Sequence, residues 1–307
     1  MAYRLKISSR INQPQTEKYR SGSQFHAPFT STRAGVEQTD IISEFTPINA
    51  SIFLDKQEFY RVFSKPITTI PIQGKVIAAT VNHHVLATDL LAQFFVSLAK
   101  NRPDATRLVI LSPDHFFAGR GKVSTHERKY QTPDGLVEID AAAIESLVKN
   151  HIANVENGTM YEREHGIGAL MPFVKKSFPK ATIVPISIQG KSDIETLFQV
   201  SRALTKLDDG RTLFIVSADM SHYLSKEAAV KNDIQTKMWL EKKDEQAMIK
   251  AKDTHTDSGR QFVTLFHWLN QVYPKSHFQL IGQGISSDYV ADIKNTTSYI
   301  NGVWSIK

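Results

Sequence analysis

Three segments of this chain place a histidine shortly after an apolar run. His83, His115 and His222 each follow a stretch rich in valine, isoleucine and leucine, two to six residues beyond its last apolar residue. Imidazole is the commonest metal ligand in proteins and titrates near neutral pH, so it also serves as a general acid or base. Three imidazoles brought to one place would therefore serve a metal ion or a proton-transfer reaction.

Carboxylates accompany two of these histidines. Asp114 precedes His115, and Asp219 lies three residues before His222. A carboxylate that accepts the second ring N–H fixes the tautomer of a metal-bound histidine, and a general-base histidine needs the same support. Both uses remain open at this point. Ser221 beside His222 adds a serine hydrolase as an alternative, but no Gly-x-Ser-x-Gly elbow surrounds this serine.

Two further imidazoles lie close in sequence to these groups. His165 follows Glu164 at the start of a predicted helix, where backbone N–H groups favour an anion. This pair is a candidate for catalysis, with helix capping as the alternative. His84 directly follows His83, and neighbouring side chains of an extended segment point to opposite faces. We therefore expect at most one of His83 and His84 to face the site.

The apolar runs are typical of buried parallel strands, and segments with helical spacing alternate with them. The fold class expected is α/β, a single domain with a mainly parallel central sheet flanked by helices. Ligands bind beyond the carboxyl ends of such strands, so the three histidines should converge there. The strands are predicted at 75–81, 107–112, 182–188, 212–217, 278–283 and 297–304, and the helices at 56–63, 86–98, 141–149, 166–178, 194–207, 227–252 and 261–272.

Residues 1–48 show little apolar periodicity and predict a loosely structured arm, with Phe25, Phe29 and Phe45 as candidate anchors and a disordered leader as the alternative. Residues 49–307 form the predicted domain, and a loop is expected between its second strand and the helix at 141–149. No apolar stretch has the length of a membrane span, and the first residues lack the core of a signal peptide. We expect a cytoplasmic protein.

The amino-acid composition excludes some kinds of site and of partner. The 307 residues contain no cysteine, which excludes disulfides, thiolate metal ligands and a cysteine nucleophile. The formal net charge is +6, but Lys and Arg are spread along the chain without a basic block or interleaved aromatic residues. The charge therefore predicts no nucleic-acid partner, and it is compatible with a basic rim that attracts an anionic substrate.

Four motifs, in order and spacing, resemble those of the Memo-like proteins, which include AmmeMemoRadiSam system protein B. Val81–Val85 is similar to the family's Val-Pro-His-Ala-Gly, and Ser112–His115 to its Gly-Pro-x-His. Glu164–Phe173 is similar to Glu-His-Ser-x-Glu-x-x-Leu-Pro-Phe, and Ser217–His222 to Ser-Ser-Asp-x-Ser-His. The resemblance runs from about residue 50 to about residue 305.

The resemblance implies a fold like that of the class III extradiol dioxygenases, which hold non-haem Fe(II) with two histidines and a carboxylate. Carried over residue by residue, it gives His83, His115 and His222 as metal ligands. It gives His222, with Asp219 as its partner, for acid–base chemistry, and His165 is the other candidate for moving protons. The cofactor implied is a divalent metal ion, with Fe(II) favoured and Cu or Zn as alternatives.

One departure concerns the third ligand. The family's Cys-Gly-Arg aligns with Ser258, Gly259 and Arg260, so the thiolate is missing. A neutral hydroxyl is a poor ligand for iron, copper or zinc, whereas Asp257 would complete a set of two histidines and one carboxylate suited to Fe(II). A second departure is His84, which stands where the family has a small alanine.

The residues and the resemblance together predict a metal-dependent, dioxygenase-like redox enzyme acting on an unidentified small molecule or peptide. Two alternatives remain. One is a non-catalytic protein that reuses the old cleft to bind a peptide or another partner. The other is a metal-dependent hydrolase that uses a metal-bound hydroxide. The sequence fixes neither the substrate nor the oligomeric state.

Overall fold

The computed structural model describes residues 48–50, 55–156 and 160–307, with side chains from residue 55 onward. The predicted arm at residues 1–48 lies outside this range except for its last residue. Its three candidate anchors also lie outside it, so the arm and its boundary stay predictions.

Within the described residues the chain forms twelve strands and ten α-helices. The strands are β1 (Ile48–Ala50), β2 (Lys75–Val81), β3 (Arg107–Pro113), β4 (Val123–Thr125), β5 (Lys129–Thr132), β6 (Gly135–Ile139), β7 (Asn154–Val155), β8 (Thr182–Ile188), β9 (Thr212–Ser217), β10 (His222–Leu224), β11 (His277–Ile285) and β12 (Thr296–Ile306). The helices are α1 (Lys56–Phe63), α2 (Thr88–Asn101), α3 (Ala141–Lys149), α4 (Met160–Arg163), α5 (His165–Gly168), α6 (Met171–Ser177), α7 (Ile194–Leu207), α8 (Lys226–Lys242), α9 (Glu245–Lys250) and α10 (Gly259–Val272).

The strands form one sheet whose main order is β1-β5-β6-β8-β3-β9-β2-β12-β10. The run from β6 to β2 is parallel throughout. β12 then pairs antiparallel with β2, and β11 pairs antiparallel with β12. The predicted α/β class with a mainly parallel sheet is confirmed. Among the described helices, none combines the length and the hydropathy that crossing a bilayer requires.

Both faces of the central sheet are buried. In β3, Leu108 and Ile110 belong to one apolar cluster, and Val109 and Leu111 belong to another. Because successive strand residues point to opposite faces, helices must cover the sheet on both sides. Residues of α2 and α6 pack in the first cluster and residues of α7 and α10 in the second. Each such buried aliphatic side chain contributes roughly 2 kcal/mol relative to exposure, so this core holds the strand ends in place.

The segment between β3 and α3 differs from the predicted loop. It contains β4, β5 and β6, and β6 extends the parallel sheet by pairing with β8. These strands are three to five residues long, and the burial of β5 alternates, with Tyr130 and Thr132 inward. Short strands with a polar face have few apolar residues in alternation, so their sequence does not predict strands. The glycines and the proline of this region are typical of loops instead.

The long helix predicted at 227–252 is broken in two. Helix α8 ends before Lys243, whose backbone is left-handed at φ 52°, and Asp244 caps α9. The Lys243 ammonium group donates to the carbonyl oxygens of Pro274 and Ser276 at 2.9 and 3.2 Å. These contacts fix Lys243 in a non-helical conformation, although the residues around it have good helix propensity. The predicted helix at 166–178 is likewise divided, into α5 and α6.

Candidate metal centre

Three adjacent parallel strands bring the first two histidines together. β9 lies between β3 and β2, with Ser217 level with Val81. His83 and His115 each lie two residues beyond the end of their strand, β2 and β3. The centroids of the two imidazole rings are 5.0 Å apart. The predicted convergence of strand-end histidines therefore holds for this pair.

Asp257, in the segment before α10, completes a compact donor group. Its Oδ2 lies 3.2 Å from His83 Nε2 and 3.5 Å from His115 Nε2. Oδ2 is buried, yet it forms no hydrogen bond of ordinary geometry with any residue that the structure describes. Asp219 Oδ2 is 3.8 Å from His83 Nε2 on another side. Two nitrogens and at least one carboxylate oxygen thus face a common point.

Hydrogen bonds behind the two rings fix which nitrogen faces Asp257. His115 Nδ1 donates to Glu164 Oε1 at 2.6 Å. The Ser217 hydroxyl donates to the carbonyl of Gly166, so it accepts from His83 Nδ1, 3.1 Å away. When either ring gives up its Nε2 proton, the remaining proton is on Nδ1, and Nε2 then presents a lone pair to the site. This is the tautomer that metal ligation through Nε2 requires.

The electrostatics of this group are dominated by the close carboxylates. Burial works against protonation of His115, but Asp257 and Glu164 raise its pKa to about 10. Burial opposes the charged form of His83 as well, and Asp219 and Asp257 outweigh it and raise its pKa. The pKa of Asp257 lies well below its usual range, because the two imidazoles outweigh its own burial. The pocket therefore favours positive charge between these side chains, whether carried by protons or by a metal ion.

His165 stacks on the same group. Its ring centroid is 4.0 Å from that of His115, with 25° between the planes, and 5.1 Å from that of His83. Burial and the two neighbouring imidazoles lower the pKa of His165 to about 3, so its ring is neutral. One nitrogen from each of these three histidines falls within 4.8 Å of the others. His165, the first residue of α5, thus lies against both His83 and His115.

His222 lies on the wall of a cavity beside this group. The cavity has a volume of about 300 Å³ and is lined by His83, His84, Val85, His165, Asp219, His222 and Thr297. His222 Nδ1 donates to the carbonyl oxygen of Met220 at 2.7 Å. Neither of the two donor groups found within the described residues includes His222. Its role as a ligand stays a prediction.

The carboxylates of Asp219 and Asp114 accept hydrogen bonds from backbone N–H groups and not from any imidazole ring that the structure describes. Asp219 Oδ1 accepts from the backbone N–H groups of His83 and His84 at 3.1 and 3.4 Å, which fixes the turn after β2. Asp114 accepts from the backbone N–H groups of Ala118 and Gly119 at 3.0 and 2.9 Å. The carboxylate that supports the His115 ring is that of Glu164, 49 residues away, so the expected pairing within Asp114–His115 is corrected.

Comparisons with known proteins place these residues in a family. The family model described as Memo-like protein matches residues 60–303. This chain belongs to the Memo-like family. The resemblance drawn from its four motifs is therefore confirmed at the family level.

Relatives of this Memo-like chain come from archaea and bacteria. It is 26% identical to a MEMO1 family protein of Caldivirga maquilingensis over 59% of this chain and 65% of the relative. It is 30% identical to one of Methanococcus maripaludis, over 54% of this chain and 61% of the relative. The chain spans less than two thirds of the length of these relatives. The crystal structure of an uncharacterized Escherichia coli K12 protein superposes with a TM-score of 0.48 and 12% identity, over 76% of this chain and 100% of that one.

Proposed function

We propose that this Memo-like protein holds one divalent metal ion through His83, His115 and Asp257 and is a redox enzyme of the non-haem iron dioxygenase type. The observation that carries the proposal is the buried Asp257 Oδ2, which faces two imidazole Nε2 atoms without a hydrogen bond from the described residues. Two histidines and one carboxylate are the ligand set that suits Fe(II) with open positions.

The residues present fit such an ion. A buried carboxylate oxygen that lacks a donor is costly unless a cation takes that place. The Nδ1 protons of both histidines are already engaged, by Glu164 and Ser217, so a metal ion that displaces the Nε2 protons meets two lone pairs directed at the site. Because the chain has no cysteine, a sulfur-selecting copper site is disfavoured, and Fe(II) is the first candidate ahead of Zn.

A bound ion would supply Lewis acidity and, in the case of iron, redox chemistry. The protein's own groups would then bind the substrate in the adjoining cavity and move protons. We assign proton transfer to His165, whose neutral ring stacks on His115, and to His222 Nε2 on the cavity wall. Asp219 would position both the turn that carries His83 and the cavity wall.

The proposal is tested by metal loading. Metal-free protein is incubated anaerobically with Fe(II), Zn(II) or Cu(II) in separate samples, and bound metal is measured by mass spectrometry after gel filtration. We expect close to one Fe(II) per chain and its loss in Asp257→Asn, because that change removes the anionic ligand. Asp253→Asn is the matched control, since Asp253 is an exposed carboxylate four residues earlier.

The outcomes separate the alternatives. Full Fe(II) binding by a His83→Ala, His115→Ala double variant would overturn the ligand assignment. Tight Zn binding without Fe binding would favour the metal-dependent hydrolase. Absence of any bound metal in the folded protein would favour the non-catalytic binding protein.

A further inference from the structure

We infer that His84 is a ligand-binding residue of the cavity, held by Tyr299 so that its Nε2–H donates a hydrogen bond to a bound small molecule. The inference rests on the proposed function only in that both concern the same cavity. His84 stands where the resemblance expects a small alanine, so this group is a property of the present chain.

The ring of His84 lies on the cavity wall and is fixed from behind. His84 lines the cavity together with His83 and His222, so the expectation that at most one of His83 and His84 faces the site is wrong. Its Nδ1 is 2.8 Å from the hydroxyl oxygen of Tyr299, and the two rings meet edge to face with centroids 5.8 Å apart. Tyr299 is fully buried in β12, so this partner is held in place by the sheet.

The direction of this hydrogen bond follows from the number of protons available. A phenol has one proton to donate, and among the described residues His84 Nδ1 is the hydrogen-bond partner of the Tyr299 hydroxyl. If His84 donated instead, the Tyr299 proton would have no acceptor there, which is unfavourable for a buried group. Burial also raises the pKa of Tyr299, so the phenol keeps its proton. Tyr299 therefore donates to Nδ1, and the proton of the neutral His84 ring is on Nε2.

The opposite hydrogen-bonding polarity is found at His222. A carbonyl oxygen only accepts, so the contact between His222 Nδ1 and Met220 places the proton on Nδ1. In the neutral ring, His222 Nε2 is then an acceptor. Among the polar groups of the cavity wall, His84 thus presents a donor and the neutral His222 ring an acceptor.

This polarity defines a chemical class of ligand. A compound that carries a carbonyl oxygen next to a hydroxyl group can accept from His84 and donate to His222. An uncharged hydroxycarbonyl compound is the simplest ligand with this polarity, and its binding does not depend on the charges of Asp219 and His83 in the same wall. A cavity of about 300 Å³ lies at the small end of ligand pockets, which fits a molecule of this kind.

The tautomer is tested directly by nuclear magnetic resonance of metal-free protein labelled with ¹⁵N-histidine. We expect the His84 proton on Nε2, with the signal assigned by its loss in His84→Gln. Tyr299→Phe should mix the two tautomers of His84, whereas Tyr289→Phe, which removes a phenol that donates to Asp89 instead, should not. A wild-type spectrum with the proton on Nδ1 would overturn the inference, whether or not the variants fold.

The ligand class is tested with hydroxyacetone, with acetone as the matched probe that lacks the hydroxyl. We expect hydroxyacetone to bind metal-free protein more tightly than acetone, and about fivefold more weakly after His84→Phe, as the loss of one neutral hydrogen bond predicts. His84→Gln retains a side-chain N–H and should recover part of the affinity. Equal affinities in wild type and His84→Phe would contradict the assignment. Because these experiments use metal-free protein, their outcome does not depend on whether the protein binds a metal ion.

Discussion

Glu164 determines which nitrogen of His115 faces the site. Its Oε1 accepts from His115 Nδ1, and its Oε2 accepts from the backbone N–H of the same residue at 2.9 Å. Oε1 also accepts from the backbone N–H of Gly166 at 2.9 Å. The carboxylate is buried and surrounded by hydrogen-bond donors, and these donors need both of its oxygens as acceptors. Support of this kind sets the tautomer and the basicity of a metal-bound histidine.

Replacing Glu164 should therefore weaken metal binding without removing a ligand. In Glu164→Gln an amide NH₂ replaces one acceptor oxygen and faces backbone N–H donors, so the ring of His115 loses its fixed position. We expect a loss of about 10- to 100-fold in Fe(II) or Zn(II) affinity, measured by competition with a chelator. Glu162→Gln is the control, because Glu162 is exposed and pairs with Arg128. Equal affinity in both variants would contradict this role.

Ser258 shows how the site is arranged where the family has a cysteine. Its hydroxyl lies 2.6 Å from Asp257 Oδ1 and 2.9 Å from the carbonyl oxygen of Ser217. The hydroxyl has one proton for these two acceptors, so it donates to Asp257 Oδ1 or to Ser217, while Asp257 Oδ2 faces the two imidazoles. In the proposed centre, the serine hydroxyl leaves the place of the family's thiolate ligand to the carboxylate oxygen of Asp257.

At the scale of elements, Gly166 permits the close approach of α5 to the end of β3. A Cβ atom at this position would lie 2.1 Å from the hydroxyl oxygen of Ser112. The backbone of Gly166 also donates to Glu164 and accepts from Ser217, so it connects the partners of His115 and His83. A side chain here must displace the Ser112 hydroxyl, and it crowds the Glu164 carboxylate at 3.2 Å.

Gly166→Ala is expected to reduce the free energy of unfolding by roughly 1–3 kcal/mol, as overpacking in a core does, and to weaken metal binding as well. Urea unfolding and metal titration measure the two effects. Gly190→Ala is the control, because its Cβ would meet only the ring of Phe117, at 4.0 Å, within the described structure. An alanine variant with wild-type stability and affinity would show that α5 can shift without consequence.

The sequence predicted the elements that are apolar throughout and the residues that directly follow them. β2, β3 and β9 are buried on both faces, so their signal is strong, and His83 and His115 follow from their ends. The hydrogen-bond partners of those histidines are harder to predict from the sequence. Glu164 appeared as the neighbour of His165, and its contact with His115 depends on tertiary packing across 49 residues. Asp257 follows from the sequence only as the neighbour of Ser258, which stands where the family has a cysteine.

At the scale of the whole molecule, a buried histidine outside the site links stability to pH. His126 packs against Tyr161, its Nδ1 accepts from the backbone N–H of Arg128, and its Nε2 is 2.8 Å from the Tyr130 hydroxyl. Burial, with a contribution from Arg128, lowers its pKa to about 3. An unfolded chain has a histidine pKa near 6.5, so below that pH the unfolded state binds a proton that the folded state does not.

The free energy of unfolding should therefore fall with decreasing pH, and His126 contributes up to about 1.4 kcal/mol per pH unit between pH 6 and pH 4. His126→Gln should make this dependence shallower in urea unfolding experiments. Tyr130→Phe is the control, since it lowers stability but leaves the imidazole buried, so the slope should persist. An unchanged slope in His126→Gln would show that other groups carry the acid sensitivity.

The position of β9 has a consequence for how the protein is made. β2 and β3 come early in the chain, but they do not pair with each other, because β9 lies between them and begins only at Thr212. Asp257 follows later still. A ribosome that has released the first two hundred residues has therefore produced His83 and His115 without the strand that aligns them. Since domains are synthesised from the N-terminus onward, the donor group cannot assemble until the last third of the chain has emerged, and binding of the proposed metal ion is expected to follow translation.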